Sequence, residues 1–164
     1  MADQEHIYQA CLRFISGGQT GADRAALDFA IERGYPHGGW APRGRAAEDG
    51  TIPLKYQLTE LTDGGYRQRN KRNVADSDGT LIVNMGELDG GTLATQVFAQ
   101  KQHKPYFLAQ VDANALESLA SEIAEWLRIN DIRVLNVAGP RESKRPGIYA
   151  TTIALLEYIH TGNK

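Results

Sequence analysis

The feature that most limits how this chain can fold is a repeated step from an apolar run, through a glycine-bearing turn, toward a helical pattern. Four such turns follow four apolar runs, and at least two of them open a helix. The first is Phe14-Ile15-Ser16-Gly17-Gly18-Gln19-Thr20-Gly21-Ala22-Asp23. The second is Leu81-Ile82-Val83-Asn84-Met85-Gly86-Glu87-Leu88-Asp89-Gly90-Gly91-Thr92. In an open parallel sheet such turns gather at the carboxyl ends of the strands, where the strand order reverses and ligands bind. Two Gly-Gly turns, each leading into a helix, therefore predict a site for an anionic ligand, one that carries phosphate.

The rest of the chain continues the alternation. Leu12 to Ser16 reads as the first strand. Asp23 to Arg33 reads as a helix with Ala26, Leu27, Ala30 and Ile31 on one face, stopped at Gly34. Tyr35 to Trp40 is a second strand, weakened by Gly38 and Gly39. From Ala41 to Gly65 the pattern breaks, with two prolines and four glycines. That stretch is expected to be a long excursion with little regular structure, functional or mobile in role. Tyr66 to Asp76 is helical. Asp78-Gly79 turns into a strand over Thr80 to Asn84. Thr92 to His103 is a helix with Leu93, Val97 and Phe98 inward, ended by Lys104-Pro105. Tyr106 to Leu108 is a strand. Ala113 to Asn130 is an amphipathic helix carrying Leu116, Leu119, Ile123, Trp126 and Leu127. Ile132 to Ala138 is the last strand, and Pro146 to His160 closes the chain as a helix with Pro146 in its first turn. The expected fold class is α/β: a Rossmann-like three-layer sandwich, its mainly parallel sheet covered by helices on both faces. The 164 residues suit a single domain, 1–164, with a polar N-terminal tail over about residues 1–10.

Charge and cysteine content narrow the function classes. The formal net charge of −2 supplies no basic field for nucleic acid or an anionic membrane. The single cysteine, Cys11, cannot form an intramolecular disulfide, which fits a reducing cytoplasm; it is expected to be a small buried filler. The first eight residues lack the apolar core of a signal peptide, and no run approaches a membrane span. A cytoplasmic protein is expected, without nucleic-acid or membrane partners. The histidines, His6, His37, His103 and His160, have no metal-ligand spacing, so no protein-ligated metal is expected.

The turn Gly17-Gly18-Gln19-Thr20-Gly21 carries the strongest signal. Its glycines allow close backbone approach, and successive amides can form a nest for an oxyanion. Thr20 offers a hydroxyl, Asp23 a helix cap or ligand contact, and Arg24 a partner for an anion. Neither a P-loop nor a full dinucleotide fingerprint is present. Gly90, Gly91 and Thr92 form the expected second grip, with Thr92 at or near the helix N-cap. Arg141, Ser143, Lys144 and Arg145 follow the last strand and can contact an anion. Trp40 is placed to stack on a flat ring, with Arg43 and Arg45 beside it to hold acidic groups. In the basic run Tyr66 to Asn73, Arg69, Arg72 and Asn73 are the candidates. No nucleophile–base pair is recognisable. For each of these groups a purely structural role, as turn, cap or solvated face, is the competing reading.

Four long motifs resemble the molybdenum carrier-like (molybdenum cofactor carrier-like) family. They are Gly17 to Asp28, Gly39 to Gly50, Asn73 to Thr80 and Leu135 to Ser143, and the resemblance spans roughly Phe14 to Tyr149. The family is a branch of the Rossmann-like superfamily that includes the cytokinin-activating phosphoribohydrolases. The resemblance implies a helix-covered parallel sheet and assembly as a homodimer or homotetramer. It also implies a cofactor: an algal carrier relative holds molybdenum cofactor, a pterin with a terminal phosphate. The glycine turns would then hold the phosphate, of molybdenum cofactor or of a nucleotide, in a carrier or binding protein. The alternative is a nucleotide-processing enzyme. The hydrolases carry Pro-Gly-Gly-x-Gly-Thr-x-x-Glu; aligned on Gly91-Thr92, this chain has Thr95 at the glutamate position and lacks the leading proline. Asp89, Glu87 and Glu48 are the possible substitutes.

Overall fold

The computed structural model describes residues 12–162. The N-terminal tail and Cys11 lie outside the described residues. A five-stranded, all-parallel sheet forms the centre, built from β1 (Arg13–Ile15), β2 (His37–Gly38), β7 (Gly79–Asn84), β8 (Tyr106–Gln110) and β9 (Val134–Ala138), in the order β2-β1-β9-β7-β8. Two small two-stranded sheets lie outside it. One pairs β3 (Trp40–Ala41) with β6 (Thr59–Glu60); the other is the hairpin β4 (Ala46–Ala47) and β5 (Gly50–Thr51).

Five helices cover the sheet: α1 (Ala22–Arg33), α2 (Tyr66–Asp76), α3 (Gly90–Lys101), α4 (Leu116–Ile129) and α5 (Ile148–Thr161). α1 and α4 both pack on α5, while α2 packs on α3. The connections obey one rule. Moves toward the β2 edge (β1 to β2, β8 to β9) carry α1 or α4; moves toward the β8 edge (β2 to β7, β7 to β8) carry α2 or α3. A single crossover hand requires this split. The result is the α/β Rossmann-like sandwich expected from the sequence. β7 is buried at every residue, as a strand covered on both faces must be. The main core joins Phe14, Phe29, Leu81, Val83, Ile123, Leu135, Ile148 and Leu155.

Several elements differ from the sequence reading. The second strand splits at Gly39, whose φ of 123° turns the chain out of the main sheet. A Cβ there would lie 2.3 Å from the Ser16 carbonyl oxygen, so the chain crosses tightly over the end of β1. The excursion is more structured than expected. It holds β4 to β6 and a 3-10 turn at Arg43–Arg45, and its Ala41, Ile52 and Tyr56 form a small core with Leu27 from the helix Ala22–Arg33. The guanidinium of Arg45 donates to the carbonyls of Ile52, Pro53, Tyr56 and Leu58 and pins the segment to itself.

α3 begins on the glycines, two residues earlier than predicted. That turns Thr92, Thr95, Phe98 and Ala99 inward and leaves Leu93 40% exposed. The N-cap position falls to Asp89, and Thr92 sits in the first turn. β8 runs on to Gln110, and β9 starts at Val134 because Ile132 still closes the end of α4 through its N–H to the Leu127 carbonyl. α5 starts at Ile148, so Pro146 precedes the helix. Its entry is held by Glu142, whose carboxylate accepts the N–H groups of Gly147 at 2.8 Å and Tyr149 at 2.9 Å.

Candidate functional site

The strand order reverses between β1 and β7, with β9 lying between them. The loop after β1 leaves toward α1 and the loop after β7 toward α3, on opposite faces of the sheet. They part over the carboxyl end of β9 and leave a crevice there, the expected ligand position in an open α/β sheet. The crevice holds a cavity of about 350 Å³. Its wall contains Gln19 and Asp23 from the first turn, and Gly90, Gly91, Thr92, Ala94 and Thr95 from α3. Ala138, Gly139, Pro140, Arg141 and Lys144 come from the end of β9 and its loop, and Tyr66, Arg67, Arg69 and Asn70 from α2.

Eight of the residues singled out by sequence thus meet in one wall: Gln19, Asp23, Arg69, Gly90, Gly91, Thr92, Arg141 and Lys144. The others lie elsewhere. Gly17, Gly18, Thr20 and Gly21 are behind that wall, in the packing between loops. The Gly17 carbonyl accepts from Arg69 at 3.0 Å and the Gly18 carbonyl from Arg24 at 3.1 Å. Gly21 has φ 82°, and a Cβ on it would lie 2.4 Å from the Pro140 carbonyl oxygen. Glycine is required there to seat the first turn against the last. Four amides in and just after this turn also have protein partners. The Gln19 N–H points to the Asp23 carboxylate, the Thr20 N–H to the Gln19 side-chain oxygen, the Ala22 N–H to Pro140 and the Arg24 N–H to Gln19.

Arg24 forms a two-pronged pair with Asp49 at 2.9 and 3.1 Å. Arg43 is exposed in the 3-10 turn, and Arg45 is held by its four carbonyls. Asn73 is buried, bonding the N–H and carbonyl of Trp40 with its carboxamide. The Trp40 indole N–H donates to Asp76 at 2.6 Å, and the Arg72 guanidinium covers its ring at 4.1 Å. Ser143 turns its hydroxyl and N–H to Glu48.

Glu48 occupies what the sequence suggested as an anion grip. Its carboxylate takes hydrogen bonds from the Thr20 hydroxyl and from the Ser143 hydroxyl and N–H, and lies 3.4 Å from Arg141. Burial pushes this carboxyl up, but the bonds from Ser143 and Thr20 together outweigh it and hold the group below the usual range. The anion in that cradle is the chain's own.

Cations outnumber carboxylates in the cavity wall itself, although Glu48 and Asp89 outside it pair with Arg141 and Lys144. Arg67, Arg69, Arg141 and Lys144 face a single lining carboxylate, Asp23. Lys144 pairs with Asp89 at 2.6 Å, at the N-cap of α3. Arg145 staples the same two loops together, donating to the Met85, Lys144 and Glu87 carbonyls. Asp23 and Arg69 are both buried and stand 3.8 Å apart. Burial raises the Asp23 carboxyl to about 6 against the opposing pull of Arg69. Burial likewise lowers Arg69, with Asp23 opposing. Thr95, at the position of the hydrolase glutamate, does line the cavity; its hydroxyl donates back to the Gly91 carbonyl at 3.0 Å. Asp89 is held in ion pairs with Lys144 and Arg145. Of the three possible substitutes for that glutamate, Asp89, Glu87 and Glu48, none lines the cavity.

Tyr66 and Asn70 were not recognised from the sequence, Thr95 stood out only at the position of the hydrolase glutamate, and Arg67 only as a member of a basic run, whereas Arg69 was a named candidate. Arg67, Arg69 and Asn70 fall within one turn of α2, which was the available signal.

Comparison with known proteins agrees with this architecture. The chain is similar to a protein of known crystal structure described as "Putative molybdenum carrier protein", from Syntrophus aciditrophicus SB. The identity is 49%, the match covers 92% of this chain and 95% of that one, and the TM-score is 0.90. No curated protein matches the chain. Among the described residues no helix is long and apolar enough to cross a membrane. Residues 14–160 match the family described as Circularly permutated YpsA SLOG family, and the chain belongs to that family.

Proposed function

We propose that this protein binds a phosphate-bearing small molecule in the crevice over β9, as a carrier or binding protein. The candidate ligands are molybdenum cofactor, a pterin phosphate, and a nucleotide. One observation carries the reading: four cationic side chains and one carboxylate line a cavity that opens onto the first turn of the twelve-residue helix α3. The first amides of an α-helix have no intrahelical acceptor and sit at the positive end of its dipole. Gly90 and Gly91 carry no side chain to screen them, so a phosphate can approach closely. Lys144 stands beside Gly90, where a Cβ would come within 2.8 Å of its Nζ, and Arg141 lines the same cavity. A cavity of about 350 Å³ lies at the lower end of the range of roughly 300–1,000 Å³ for small-molecule sites. The carrier reading also draws on the relative from Syntrophus aciditrophicus, whose name includes molybdenum carrier. A cytoplasmic homodimer or homotetramer, without nucleic-acid or membrane partners, belongs to the same proposal.

The test is native mass spectrometry of the protein purified from its own cells, with identification of the small molecule released on denaturation. A pterin phosphate supports the carrier reading, and a nucleotide supports the nucleotide reading. Gly91→Val then probes the seat. A Cβ at Gly91 meets only the Asn70 side chain, at 3.6 Å, so the fold tolerates it while the added methyls cover the α3 amides. The expected result is a loss of affinity of at least about tenfold. Unchanged affinity in the folded variant refutes the seat.

A second reading, an enzyme acting on a nucleotide, is favoured by Asp23 alone. A buried carboxyl raised to about 6 in a cavity wall has the character of a general acid. Release of free base from a nucleoside monophosphate, abolished in Asp23→Asn, supports it; no turnover at high protein concentration removes it.

A further inference from the structure

Tyr66 is the aromatic side chain in the cavity wall. It is the first residue of α2 and is 46% exposed. The Arg69 guanidinium lies 5.1 Å from its ring centroid. Arg69 is itself 4% exposed, and it is held by the Gly17 carbonyl at 3.0 Å and the Asn70 side-chain oxygen at 2.9 Å. The turn that carries Tyr66 is anchored as well, since the Gly65 N–H donates to the Gln68 side-chain oxygen at 3.0 Å. The tyrosine ring therefore has a fixed cationic backing while much of its surface stays open. Trp40, the expected stacking residue, has its ring covered by Arg72 and its N–H committed to Asp76, and it is absent from the cavity wall.

We infer that Tyr66 is the stacking platform for a flat heteroaromatic ring, the part of the ligand that distinguishes a pterin or nucleobase phosphate from a simple sugar phosphate. The inference rests on the phosphate-binding reading. Aromatic faces stack in offset geometry and accept any planar π-system, so the chemistry is shared by pterins and nucleobases. Asn70 complements the platform. Its side-chain oxygen is occupied by Arg69, and its side-chain nitrogen lies toward Gly91, where it can donate to the edge of a ring held between α2 and α3.

The experiment is calorimetric titration of the full chain with three probes: ribose 5-phosphate, AMP and 6-hydroxymethylpterin monophosphate. Wild type is compared with Tyr66→Ala, Tyr66→Phe and Trp40→Phe, each checked for an unchanged melting temperature. Tyr66→Ala is expected to weaken a ring-bearing probe by roughly 5- to 150-fold, the range of base–aromatic stacking, and to leave ribose 5-phosphate within about twofold. Tyr66→Phe keeps the ring and restores wild-type affinity, and Trp40→Phe leaves all probes unchanged. Which of AMP and the pterin phosphate loses affinity identifies the source of the ring. Equal weakening of all three probes by Tyr66→Ala, or of none, overturns the inference and leaves the phosphate seat standing. Ring-bearing probes bound no tighter than ribose 5-phosphate do the same. Failure of wild type to bind any probe overturns both the seat and the platform.

Discussion

The glycine turns after β1 and after β7 each lead from a strand of the main sheet into a helix of twelve residues, α1 or α3. Their polar groups meet different neighbours. After β1 the amides of Gln19, Thr20, Ala22 and Arg24 find acceptors in Gln19, Asp23 and Pro140, and the carbonyls of Gly17 and Gly18 take arginine donors. Its glycines allow β1, the excursion and the loop after β9 to come together. The turn after β7 lines a cavity, and Gly91 has space where a Cβ would go. A Gly-Gly turn before a helix is thus a backbone capacity. The surrounding chain decides whether that capacity serves packing or a ligand.

This contrast is open to test, and the largest effect is expected at its hinge, Arg69, which donates to the first turn while lining the cavity. Arg69→Ala leaves Asp23 buried without its cation and is expected to cost about 3–5 kcal/mol in urea unfolding at pH 7. The sign of its pH dependence follows from Asp23. Its folded carboxyl, raised to about 6 from 3.8, binds a proton more readily than in the unfolded chain. Wild type and variant share the part of this penalty that grows from about pH 4 to 6; Arg69 opposes the rise, so without it the carboxyl is pushed up further, and the variant's extra deficit is small below about 6 and grows as pH rises above it. The variant should recover stability on going from pH 7 to pH 4.5. A deficit that does not change with pH would break the assignment of Asp23 as the uncompensated group.

Next comes Gly21→Ala, which forces a positive φ on alanine and drives its Cβ into the Pro140 carbonyl. A loss on the order of 3 kcal/mol is expected by thermal unfolding. A near-neutral outcome would mean that the first turn is not held by the last. Gly91→Val sharpens the comparison from the other side. Its stability should stay within about 1 kcal/mol of wild type, while phosphate-ligand affinity falls. The smallest effect is expected for Glu48→Gln. The pair with Arg141 is partly exposed, so its loss costs less than about 1 kcal/mol. Because the amide cannot match the charge of the carboxylate, exchange of the Ser143 N–H should accelerate, which hydrogen exchange would register.

The alternation of strands and helices was legible because it depends on local periodicity and on punctuation such as Gly34, which takes φ 77° at the end of α1. Leu119, Ile123 and Leu127 recur at helical spacing, and they are buried along α4. Family membership was legible for the same reason, in long continuous motifs. Boundaries slipped where a turn residue joined the helix, as Gly90 and Gly91 do, or where a proline stood outside it, as Pro146 does.

Tertiary structure alone decided the strand order that sets β9 between β1 and β7, and with it the location of the crevice. It decided that Tyr66 rather than Trp40 borders the cavity, because Arg72 and Asp76 claim the indole. It also decided that Glu48 fills the cradle made by Thr20 and Ser143, residues 28 and 95 positions away. Backbone conformation and amphipathic spacing are written within a few consecutive residues. Which amide, hydroxyl or ring still has a vacant partner depends on groups brought from the far end of the chain.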